Sequence, residues 1–262
     1  MNLSSDDIKR CCARAYQRDV VALILGDSYH PGGLELTRRL AQTLGLHPGE
    51  RVLDIASGPG TTALLLASEF GVSVDGLDLG ADTIAAAKAR AADRGLADQV
   101  RFYVADGERL PIANASVDAV ICECALCTFP DKERGALEMA RVLRRGGRVG
   151  ITDVTLDRVR LAPELASLAG WVACLADARP VADYRHLLES AGLRVTLTQP
   201  HDDALAKMIE TIDARLTALA MINAPALQGV NIDDVRDKVA LAATAVREGT
   251  AGYSLIVAHK SP

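Results

Sequence analysis

The stretch RVLDIASGPGTTALLLASEF (Arg51–Phe70) reads as strand, glycine turn and helix, and its reading decides the fold. Arg51–Ile55 is a short run of Val, Leu and Ile interrupted by one acid, as expected of a buried strand. Gly58 and Gly60 allow a tight turn and a close backbone approach to a ligand. Thr61–Phe70 then runs without glycine or proline, as a helix does. The alternation continues outward. Residues 72–77, Val100–Val104, 117–122 and 147–152 read as further strands, with helices over 81–94 and 131–143. Residues 163–176 and 181–191 read as helical, 193–197 as a sixth strand and 253–258 as the last. Strands separated by helices imply right-handed crossovers and a doubly wound, mostly parallel α/β sheet.

Both flanks of this unit are helical. Residues 4–25 suit one helix, with Ser4 or Ser5 as its cap before Asp6 and Asp7. GDSYHPGG (26–33) is rich in turn formers, and a second helix over 34–44 ends at HPGE. Between the last two strands, Leu205, Met208, Ile209, Ile212, Leu216 and Leu219 keep helical spacing within Asp202–Met221, and a second amphipathic stretch covers 235–246. The chain therefore divides into an N-terminal helical segment, 1–50, and a domain, 51–262, with a helical insertion at about 200–248.

Composition narrows the function classes. With 49% apolar and only 3% aromatic residues, the core must be built from Ala, Leu, Val and Ile. A net charge of −5 with dispersed Lys and Arg gives no electrostatic footprint for nucleic acid. The segment MNLSSDDIKRCC lacks the basic-then-apolar order of a signal peptide, and no apolar run is long enough for a membrane span. A cytoplasmic location with six reduced cysteines is expected, serving as core filler, metal ligands or nucleophiles.

Three strand ends carry a candidate ligand site. After the first strand comes ASGPG; the second ends in GLDLG, where Asp78 is placed to accept from two ribose hydroxyls; ADGERLP follows the third, with Asp106 and Glu108. A dinucleotide fingerprint would need a third glycine where Ala63 stands. The acid Asp54 in the approach suits the cationic amino group of a methionine moiety better than a pyrophosphate.

On VLDIASGPG, GLDLG, residues 110–120 and RVLRRGGRVGITDV, the chain resembles the class I S-adenosylmethionine-dependent methyltransferases from about residue 51 to 152. That resemblance implies a Rossmann-like methyltransferase fold with S-adenosylmethionine as cofactor and S-adenosylhomocysteine as product. It implies that Asp54, Ala56, Ser57, Gly58, Gly60 and Thr61 wrap the methionine end and that Asp78 binds the ribose. Asp106 and Glu108 would flank the adenine, with Leu79, Gly107 and Cys122 in the same site.

The acceptor side is read from VICECALCTFPDK. In an extended chain Cys122 and Cys124 share one side, and Glu123 faces the other and marks the strand end and the mouth of the site. The cysteines have three readings: core packing, zinc ligation (for which C-x-C-x-x-C without a following His is an unusual spacing) and thiolate capture of a soft acceptor. ECALCTFPDKERGALEMARVLRRGGRVGITDV resembles the arsenite methyltransferase family, over roughly 51–197. The resemblance puts Cys124 on one thiolate position and Cys174, in WVACLADA, on another. The family's third cysteine has no counterpart in GDSYHPGG, leaving Cys11, Cys12 or Cys127 to serve, and the pair Cys11–Cys12 is expected in a mobile segment able to close on the site. The function implied is methyl transfer to a thiolate-bound trivalent metalloid, arsenite foremost. The alternative is an O-, N- or C-methyltransferase of a small organic molecule, with Tyr29, His30 and Glu123 on the substrate side and His30 or Glu123 as base. A cofactor-binding sensor without turnover is a third reading. The insertion is expected to cover the acceptor side or to form a homodimer surface.

Overall fold

Short runs of Val, Leu and Ile become the strands of one sheet, because such segments can bury both faces between helices. The computed structural model describes residues 4–16, 19–26, 29–157, 159–160, 177–222 and 224–262. Its strands are β1 (Arg51–Ile55), β2 (Ser73–Asp78), β3 (Val100–Val104), β4 (Val117–Glu123), β5 (Leu143–Leu156), β6 (Leu193–Pro200) and β7 (Ala251–Lys260). They form one seven-stranded sheet in the order β3-β2-β1-β4-β5-β7-β6. The first five are parallel neighbours, and β7 runs antiparallel to both β5 and β6. This is the doubly wound, mostly parallel fold expected.

The helices are α1 (Ser5–Tyr16), α2 (Asp19–Leu25), α3 (Gly33–Leu44), α4 (Thr61–Phe70), α5 (Ala81–Asp93), α6 (Lys132–Val142), α7 (Val181–Ser190), α8 (Asp202–Met221) and α9 (Ile232–Arg247). Side chains alternate across each strand, so the sheet carries two cores. On one face Val52, Ala119 and Ile121 meet Leu40 and Leu44 of α3, Leu64 of α4 and Ile84 of α5. On the other, Leu53, Ile55 and Val120 meet Met139 of α6 and Tyr184 and Leu188 of α7. Asp54, between Val52 and Ala63 on the α4 face, is the polar exception in β1.

Several boundaries depart from the sequence reading, and one expected helix falls on residues that are not described. The single helix over 4–25 is present as α1 and α2, with 17 and 18 outside the described residues. The helix expected over 163–176 also lies outside them. β5 begins at Leu143 rather than 147, since Leu143 pairs with Val117 ahead of a register shift that passes the glycine turn. α9 starts three residues before the expected 235, because the Asn231 side chain accepts from the Asp234 amide at 3.2 Å and caps it.

The insertion is helical, as expected, and packs against β7 and α2. Arg215 of α8 donates to the Ile24 carbonyl at 2.7 Å, which ties the insertion to the N-terminal segment. Among the described residues no helix is long and apolar enough to cross a membrane.

Candidate functional site

In an open α/β sheet the carboxyl ends of adjacent parallel strands face a crevice where the chain switches sides. Here the ends of β1, β2, β3 and β4 line a cavity of roughly 1200 Å³, counted out to its open mouth. The turn after β1 shapes its floor. Ala56 and Gly58 adopt left-handed backbone, at φ 57° and 52°. Gly60, at φ 82°, caps α4, and a Cβ there would lie 2.6 Å from the Phe102 ring, so only glycine fits.

Three carboxylates converge beneath this turn. Asp54 is buried, and its Oδ2 makes no hydrogen bond among the described residues. Burial pushes its carboxyl well above the usual range, and the charges of Glu123 and Asp78 push the same way. Ser57 Oγ, also buried, is likewise without a partner. Asp78 accepts from the Gly58 amide at 3.0 Å and the Gly80 amide at 2.8 Å; burial still raises its carboxyl above the ordinary value. Natural cores rarely leave buried polar atoms unmatched, so the two orphans beside a glycine turn mark a place for a polar, cationic ligand.

The family described as "Methyltransferase domain" matches residues 52–147, the segment that builds this floor. The chain carries a class I methyltransferase domain. Its sheet and helices superpose on a putative sarcosine dimethylglycine methyltransferase from Galdieria sulphuraria with a TM-score of 0.78 and 24% identity, covering 87% of this chain and 86% of that one. An arsenite methyltransferase of Halobacterium salinarum is 37% identical over 164 residues, 60% of this chain and 40% of that protein. A 27-O-demethylrifamycin SV methyltransferase of Amycolatopsis mediterranei is 38% identical over 121 residues, 46% of this chain and 44% of that protein. The chain thus spans less than half the length of these two curated relatives.

Within the methyltransferase domain, the residues expected to hold the cofactor line the cavity, apart from Gly60 and Cys122. Gly60 acts instead through α4 and Phe102. Cys122 points into the core on the opposite face of the sheet, among Leu53, Ile55 and Ile151. Burial raises its thiol well above the ordinary value, and the charges of Asp153 and Asp54 add to the shift. The expectation that Cys122 shares a side with Cys124 therefore fails. Cys124 follows the strand at φ 52°, a left-handed turn held by its amide on the Thr152 carbonyl at 2.6 Å, and this swings it to the α3–α4 side, where it lines the cavity.

Tyr29, His30 and Glu123 all line the cavity. His30 Nε2 lies 3.4 Å from Glu123 Oε2, and its Nδ1 lies 3.2 Å from the Pro31 carbonyl. Glu123 ends β4, but buried rather than at the open mouth, with a side chain 4% exposed. The hydroxyls of Thr37 and Thr62 donate to it at 3.0 and 2.7 Å, and that of Thr152 at 3.4 Å. These threonines offset the cost of burying its charge. Tyr253 donates to Thr152 at 3.0 Å and continues the network into the core.

α1 closes the side of the cavity at Asp106 and Glu108, with Lys9, Ala13 and Tyr16 among its lining residues. Lys9 Nζ bonds Asp106 at 2.7 Å and also contacts Glu108. Burial alone would lower this ammonium, but the two carboxylates outweigh it and raise it. The sequence reading missed Lys9; its signal was the spacing 9, 13, 16 along one helix face. Tyr16 stacks on Tyr29 with ring centroids 6.2 Å apart. Cys11, on α1, does not line the cavity, and Cys127 is buried in the α3–α4 core. Cys12's side chain and Cys174 lie outside what is described. Among the described residues, no three His, Cys, Asp or Glu group to hold a metal ion. Among the described residues none of α8 or α9 lines the cavity, which speaks against the expected cover and leaves the homodimer surface as the other expectation; the helices buttress β7 and α2.

Proposed function

We propose that the protein transfers a methyl group from S-adenosylmethionine to a small molecule bound beside Glu123, releasing S-adenosylhomocysteine. The observation that carries the reading is the buried Oδ2 of Asp54 under the glycine turn, left without a hydrogen-bond partner among the described residues and so open to an ammonium group that the fold itself does not supply. Asp78 keeps acceptor capacity for a ribose hydroxyl, since the amides of Gly58, Gly80 and Leu79 take three of the roughly four acceptor positions of its carboxylate. Leu79, 40% exposed, offers an apolar wall beside it. When bound, S-adenosylmethionine supplies a methyl group on a cationic sulfonium.

The acceptor best supported is an organic hydroxyl or amine, because the His30–Glu123 pair stands in the cavity to take its proton. The metalloid reading is favoured by one specific observation, that Cys124, which the resemblance to the arsenite methyltransferases makes a thiolate ligand, lines the cavity. It requires a second thiolate, and Cys174 is the candidate.

Calorimetry tests the cofactor reading. Wild type binds S-adenosylmethionine, and Asp78→Ala weakens binding by about 1–3 kcal/mol; unchanged affinity in a folded mutant removes the ribose assignment. Product release from arsenite with excess thiol, against a panel of hydroxyl and amine acceptors, separates the acceptors. On the organic reading Cys124→Ser retains turnover and His30→Gln loses at least about tenfold. Arsenite turnover that vanishes in Cys124→Ser and in Cys174→Ser selects the metalloid.

A further inference from the structure

The cavity's charges are one-sided. Carboxylates of Asp54, Asp78, Asp106, Glu108 and Glu123 line it, and among the described residues Lys9 brings the single ammonium group. Lys9 is engaged by Asp106 and Glu108, so its charge is spent on the β3 side. Glu123 lies at the other end of the cavity floor. Its partners are the hydroxyls of Thr37, Thr62 and Thr152 and the imidazole of His30. Hydroxyls solvate a carboxylate without cancelling its charge, and among the described residues no Lys or Arg pairs with it. A buried carboxylate in that state acts over distance, because little water screens it. Asp54 already registers it.

We propose that Glu123 biases the cavity toward the sulfonium cation of S-adenosylmethionine over the neutral thioether of S-adenosylhomocysteine. This rests on the cofactor reading above. The two molecules share every hydrogen-bonding group and differ in one methyl and its positive charge. Contacts to the ribose, the adenine and the amino acid end therefore cancel in the ratio of their affinities, and the local field does not. Transfer of the methyl to the acceptor leaves the sulfur with its electron pair and no charge, so the same field that favours the substrate weakens retention of the product. Glu123 acts here as a specificity-determining residue, separate from any role toward the acceptor's proton.

The test is the ratio of dissociation constants for the two molecules, measured calorimetrically. Glu123→Gln keeps the volume and removes the charge, and the hydroxyls that face its amide nitrogen can turn to accept from it. The ratio should move toward S-adenosylhomocysteine by at least about fivefold, carried by weaker S-adenosylmethionine binding, with product affinity changed less than about twofold. Thr62→Val, which removes a hydrogen bond and leaves the charge, should keep the wild-type ratio, and it also serves if Glu123→Gln does not fold: a ratio that moves in Thr62→Val overturns the proposal. An unchanged ratio in folded Glu123→Gln overturns it too. If wild type binds neither molecule, the cofactor reading itself has failed.

Discussion

Asp54 is held in a position that folding alone does not favour. An acid buried without a full set of partners lowers stability unless a proton or a cation satisfies it. In the unliganded fold burial and the charges of Glu123 and Asp78 all raise its carboxyl, which favours the protonated form. The folded state therefore binds more protons than the unfolded chain, whose aspartates titrate near pH 4, and stability falls as pH rises from there toward the folded value. Asp54→Asn lacks this titration. Its stability relative to wild type should climb between pH 4 and pH 7, by about 1.4 kcal/mol for each pH unit crossed below the folded value. Urea unfolding at pH 4.5, 6 and 7.5 measures it, and a difference independent of pH would show that Asp54 is ionised in the unliganded fold. The same substitution should weaken S-adenosylmethionine binding, so the residue that destabilises the empty protein is the one the ligand uses.

At the scale of elements, α1 and the insertion show how helices outside the sheet serve the site. α1 presents Lys9, Ala13 and Tyr16 to the cavity from positions one and two turns apart. Lys9 lies between Asp106 and Glu108, which without it would face each other as unscreened like charges. Lys9→Met keeps the stem and removes the charge. We expect a loss of about 1–2 kcal/mol in stability, together with faster proteolytic cutting within α1. Cutting at the wild-type rate would mean that α1 is held by its apolar contacts alone. The insertion acts at second hand. α8 holds α2 through Arg215, and α2 with α1 forms the segment that precedes Tyr29 and His30.

The whole molecule is organised around β7. It runs antiparallel between β5 and β6, and Ala251–Ala258 is buried along its length. The final strand thus completes the sheet on the side away from the cavity floor, and Tyr253 connects it to the site through Thr152 and Glu123. A ligand held only by the assembled cavity stabilises the entire fold by mass action. S-adenosylmethionine at about 100 times its dissociation constant should add about 2.7 kcal/mol and raise the unfolding temperature by several degrees. Unfolding that ignores a bound ligand would mean that the unfolded chain binds it equally well.

The sequence by itself determined the strands, the glycine turn and the acids at the strand ends. Each of these depends on neighbours a few residues away: apolar runs that must be buried, glycines that alone take left-handed backbone, and helices that stop at capping residues. Asp54, Asp78, Asp106 and Glu108 were legible for that reason, and so was the helical insertion. Only the tertiary structure decided which distant groups meet. Thr37, Thr62, Thr152 and His30 surround Glu123 from two helices, the turn before α3 and another strand, and Lys9 reaches acids about 100 residues away. It also separated Cys122 from Cys124, because one left-handed residue at the end of β4 reverses the alternation that an extended chain would keep. Such pairings have no local signature; they follow from how helices cover a sheet and from the burial that makes each buried charge find its hydroxyls.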